Sequence, residues 1–267
     1  MANFRISSAD IFLLDRWQED SPLPIDVQRE QILAEYVAYG VSGREPYRNR
    51  DQDRQLSEQE RELLDRVRQP SAERLPVGTG PWLRTCYGPS TEAAWSAILV
   101  ELEGSISNAR IYNDASLYDF ESHWEKIFLR VPQLLEYRYP LSEYEDETQE
   151  ALSEAIEDHG LDPEKARESG YDPDEDANPW PISYSNYHML LAMGRIHVVD
   201  ATTLASEGRD AGKVLIVWFD ECGRTIRYVR EVLDEAHGCW VTAKIGTSYQ
   251  WGQPQGPPYS EPGGDSD

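Results

Sequence analysis

Cysteine is scarce in this chain, and what there is does not pair. Cys86, Cys222 and Cys239 are odd in number and none stands in a Cys-x-x-Cys spacing. That excludes a disulfide framework and a structural zinc site and points to a reducing compartment. Long apolar runs are missing too. The longest, Val214–Phe219, falls far short of a membrane span. Between Met1 and Trp17 the short run Ile11–Leu14 is hemmed in by Arg5, Asp10, Asp15 and Arg16, so no secretory signal is read there. Positive charge is the third shortage: 25 Lys and Arg face 49 Asp and Glu, a net charge of −24 at pH 7. Nucleic acid and anionic membrane would be repelled at long range, so neither is expected as a partner. These absences predict a cytoplasmic protein, a nuclear location being left open.

What is present is aromatic. The 267 residues include 8 Trp and 15 Tyr although only 39% are hydrophobic, a composition that suits a folded body with polar appendages. Residues 1–75 read as helical. Val27, Ile32, Leu33, Tyr36 and Val37 fall near helical spacing, with Gly40 as a stop. Ser57-Glu58-Gln59-Glu60 matches a capping box ahead of the stripe Leu63, Leu64 and Val67. Between them, 43–55 is polar and reads as a loop. From Arg44 to Arg74 eight Arg meet eight acids, which makes a charge-mixed face and not a basic patch.

The Pro/Gly punctuator at 75–81 opens a different pattern. Trp82–Tyr87 reads as a strand, and Ser90 or Thr91 caps a helix carrying Ala94, Trp95, Ile98, Leu99 and Leu102. Ala109–Tyr112 is a second strand, and a helix over 116–130 buries Leu117, Phe120, Trp124, Ile127 and Phe128. This alternation predicts an α/β fold, a mostly parallel sheet of about five strands with flanking helices. The pattern breaks at 136–180, where sixteen acids meet three bases, the composition of an acidic insertion. It resumes with a short helix around Tyr187–Met193, a strand at Ile196–Val199, the apolar strand Val214–Phe219, and Thr225–Val229 nearer the sheet edge. A helix over 231–237 and a last strand or loop over 240–245 complete it. The predicted organisation is an N-terminal helical region, 1–75, packed on an α/β domain, 76–249, that the insertion 136–180 interrupts. A disordered tail occupies 250–267.

The strand Trp82-Leu-Arg-Thr-Cys-Tyr87, its helix with Ala94-Trp95, and the later pair Val214–Asp220 and Gly223–Val229 resemble an uncharacterised microbial α/β domain family of unknown function. The resemblance covers roughly 81–130 and 187–249. It implies a compact α/β fold and no particular activity.

Three aspartates stand alike after predicted strands: Asp114, Asp200 and Asp220. In a parallel sheet they would converge on the edge where ligands bind. There they could hold Mg²⁺ near a phosphate, with Thr202, Arg224 and Lys244 as donors to it. The competing reading is that Asp after a strand caps the next helix. Cys86 with His197 or His188 and one of these aspartates could form a nucleophilic set, but Cys86 sits among apolar residues, where cysteine is usually inert packing. No nucleophile elbow, His-Glu-x-x-His or phosphate-binding loop occurs. Asp172–Asp176 begins like a calcium loop but has Ala177 and Ser183 where Gly and Glu are needed. Pro254-Gln-Gly-Pro257 lacks a flanking base. No cofactor is identified. The sequence therefore predicts a non-catalytic binding or accessory protein with a protein or small-molecule partner. The alternative is a divalent-metal-dependent phosphoryl-transfer enzyme using the strand-end aspartates.

Overall fold

Two reciprocal caps start two of the helices in the computed structural model, which describes residues 6–48, 55–68, 81–105, 110–135 and 194–233. At the first, the Ser7 hydroxyl accepts the Asp10 amide while the Asp10 carboxylate accepts the Ser7 amide at 2.8 Å, opening α1 (Ser8–Arg16). α2 (Ile25–Ala38) follows and buries Ile32, Leu33 and Tyr36. The second cap is the one spelled at Ser57. Its Oγ accepts the Glu60 amide at 3.2 Å, and Glu60 accepts the Ser57 amide at 2.8 Å. Between these helices the expected loop over 43–55 is instead partly helical. α3 (Gly40–Arg48) runs through Pro46, and α4 (Glu58–Val67) comes after the second cap. Arg44 anchors α3 in the helical unit. Its guanidinium is buried over the Tyr36 ring and donates to the carbonyls of Val37, Leu135 and Glu221. Such tertiary bonds outweigh a poor local propensity.

The chain divides into two compact units. The first comprises Met1–Leu75, Glu125–Tyr137 and Glu221–Gly223, and the second takes the rest. The helical unit buries Phe12, Leu13, Ile32, Leu33, Tyr36, Leu56, Leu64 and Val67 together. Phe12 meets the rings of Tyr39 and Tyr47 edge-on at 5.3 and 4.9 Å, a favoured aromatic geometry.

The second unit is built on five strands. β1 (Trp82–Arg84) leads through α5 (Glu92–Ser105) to β2 (Ile111–Tyr112). β3 (Gly194–Val199), β4 (Lys213–Phe219) and β5 (Thr225–Val232) follow, in the sheet order β2-β1-β3-β4-β5. β1 pairs in parallel with β2 and with β3, whereas β3–β4 and β4–β5 are antiparallel and make the longer ladders. The sheet is thus mixed and mostly antiparallel, which corrects the expected mostly parallel arrangement. The connections explain it. A parallel return needs a crossover of a dozen or more residues, usually a helix. Here the chain from Asp200 to Gly212 only turns, and β4 reaches β5 through a hairpin with Gly223 at φ 75°. The apolar run at Val214–Phe219 is buried throughout, as read, but burial on both faces does not fix strand direction. Trp82, Trp95, Leu102, Val199, Leu204, Val214, Ile216, Trp218 and Val229 form one core cluster.

The single helix expected over 116–130 is broken into α6 (Ala115–Tyr118), a 3-10 turn at Trp124–Lys126 and α7 (Ile127–Arg130). Glu121 sits between them at φ 53°, its amide donating to the Thr85 carbonyl at 2.8 Å. A residue in the left-handed region ends a helix. β5 likewise continues to Val232, across the start of the helix expected from 231. The acidic insertion, the helix around 187–193, the segment 240–245 and the tail lie outside the described residues. Among the described residues no helix is long and apolar enough to cross a membrane.

Candidate functional site

The three strand-end aspartates are divided between two ends of the sheet. β1, β2 and β3 run the same way, so Asp114 and Asp200 leave the same edge. β4 runs against them, and Phe219 pairs with Gly194 at the start of β3. Asp220 therefore lies at the opposite edge, about 20 Å away at the rise of an extended strand. Each carboxylate also has partners within its own chain. Asp114 caps α6, accepting the Ser116 amide at 2.9 Å and its hydroxyl at 2.6 Å. Asp200 accepts the Thr203 amide at 2.9 Å and forms a two-pronged pair with Arg230, which reaches it across β4. Asp220 is buried and accepts from the Arg224 amide at 2.9 Å and its Nε at 2.7 Å, closing the β4–β5 hairpin. Thr202 is exposed in the turn after β3, and its neighbour Thr203 makes the buried bonds. Arg224 holds Asp220 and not a ligand edge. Lys244 and His188 lie outside the described residues. Among the described residues no three His, Cys, Asp or Glu side chains gather as a metal site requires.

The crevice between β1 and β3 is where the chain departs in opposite directions, to β2 on one side and to β4 on the other. Ligands of open sheets favour such a point. Cys86 and Tyr87 leave β1 there, beside a guanidinium that the sequence reading passed over. Arg84 is buried against the rings of Tyr87 and Trp95, pairs with Glu92 at 2.6 Å in the first turn of α5, and donates to the Cys86 carbonyl at 2.9 Å. That bond to Arg84 holds the Glu92 carboxyl below its ordinary range. Burial pushes the Cys86 thiol up, and Asp119, Asp200 and Glu121 push it further against the pull of Arg84. A thiol kept protonated is a poor nucleophile, and the carboxylates around it disfavour phosphate. Burial likewise raises the Tyr87 hydroxyl, which donates to the Arg84 carbonyl at 3.0 Å. His197 is occupied differently, stacked on Trp82.

The helical unit holds a second constellation that the sequence reading missed. A cavity of about 20 Å³ is lined by Asp10, Arg29, Arg68, Arg130 and Gln133 with apolar neighbours. Arg29 projects from the buried face of α2 and donates to the Val67 carbonyl, where α4 ends. Arg68 pairs with Asp10 at 3.3 Å, and Arg130 with Glu30 at 2.6 Å. Burial raises the Asp10 carboxyl above its ordinary value, against the lowering effect of Arg68 and of the bonds from Ser7. The signal for Arg29 was present in the sequence, since it stands three residues before Ile32 and four before Leu33 on the apolar stripe. Arg68 and Arg130 join it only through the tertiary fold.

No protein-family profile, no curated protein and no solved structure matches the chain.

Proposed function

We propose that this chain is a non-catalytic binding or accessory protein. One observation carries the reading: Asp114, Asp200 and Asp220, the residues best suited to metal-assisted chemistry, act as a helix cap, a cross-sheet clamp and a hairpin clasp. The alternative, divalent-metal-dependent phosphoryl transfer, needs these carboxylates within bridging reach of one another, and they leave opposite ends of the sheet. A small-molecule or protein partner fits the reading, while the net charge of −24 disfavours nucleic acid.

Thermal melts of the full chain and of Asp200→Asn and Asp220→Asn, with and without millimolar Mg²⁺ at constant ionic strength, test this. Mg²⁺ is expected to leave all three unshifted, and both variants are expected to melt below the wild type. A saturable Mg²⁺ stabilisation of the wild type that Asp200→Asn abolishes, with Mg²⁺-dependent hydrolysis of p-nitrophenyl phosphate, would overturn the reading.

A further inference from the structure

We draw no further inference here: the strongest candidate, the exposed apolar patch of Leu23, Ile25 and Val27 at the start of α2, carries none, because nothing in the structure shows what covers it and the acids beside it, Asp26 and Glu30, are already paired with Arg29 and Arg130.

Discussion

The indole of Trp82 and the imidazole of His197 lie face to face across the β1–β3 pair, ring centroids 4.4 Å apart and planes 8° from parallel. Trp82 and His197 are also direct register partners, and both are buried. Stacked rings add about 0.5–1.5 kcal/mol beyond the area they bury. A double-mutant cycle of Trp82→Ala and His197→Ala, read by urea unfolding, is expected to return a coupling of that size. Trp82→Ala alone should cost about 3–5 kcal/mol, as large aromatic truncations in a core do. A coupling near zero would mean that each ring is held by its other neighbours.

Asp200 and Arg230 give the second prediction. Their side chains are 16% and 19% exposed, and the two-pronged pair ties the exit of β3 to β5. If strand-end carboxylates repelled one another in an empty metal site, Asp200→Asn would stabilise the protein. In the clamp described here it has the opposite sign. Asn keeps one acceptor for Thr203 but leaves Arg230 without its counter-charge, so a loss of about 1–3 kcal/mol is expected. Arg230→Lys should lose part of this, because a single ammonium cannot form the fork. Equilibrium unfolding of both variants measures it, and an unchanged Asp200→Asn midpoint would count against the clamp.

The same pair shows what could be read from sequence. Position after a strand identified Asp114, Asp200 and Asp220, and capping, the competing reading for such an aspartate, is what Asp114 performs at α6. Strand direction could not be read, because the burial of Val214–Phe219 looks alike in a parallel and an antiparallel centre. With direction went the edge on which Asp220 falls. The start of α4 was legible because Ser57 and Glu60 act within four residues; the matching cap of Ser7 and Asp10 at α1 was not read. The arginine-lined cavity was not, because Arg29, Arg68 and Arg130 meet only after α2, α4 and α7 have packed. Arg44 hid in the same way, inside a stretch whose balanced charge looked solvent-facing.

Gly223 supplies a prediction about backbone. It holds φ 75° in the β4–β5 hairpin, and an added Cβ would come within 2.6 Å of the Phe128 ring. Gly223→Ala therefore combines left-handed strain of about 1 kcal/mol or more with a clash that needs the ring to move. A total loss above about 2 kcal/mol is expected. Gly212, at the matching φ of 76° but with nothing within 4 Å of a built Cβ, separates the two causes. Gly212→Ala should show the strain alone. Similar midpoints for the two variants would rule out the clash.

The pH dependence of Asp10 offers the last prediction. Its folded carboxyl is raised above the ordinary value of 3.8 by burial, which outweighs the lowering by Arg68 and the Ser7 bonds. In the window above 3.8 and below the raised folded value, the folded chain binds this proton and the unfolded chain does not. Stability from this group therefore grows as pH falls from neutrality through the folded value, and it levels off below the unfolded one. The neighbouring guanidiniums of Arg29, Arg68 and Arg130 stay charged throughout. Acidification also relieves the general repulsion of a chain at −24, so the wild type alone is not diagnostic. Asp10→Asn removes the titrating group while keeping an acceptor for Ser7. Urea unfolding of both proteins at several pH values between 7 and 4 isolates the effect. The stability of the wild type relative to Asp10→Asn is expected to rise as the pH drops. A difference that stays flat, or falls on acidification, would mean that Arg68 and Ser7 outweigh the burial of Asp10.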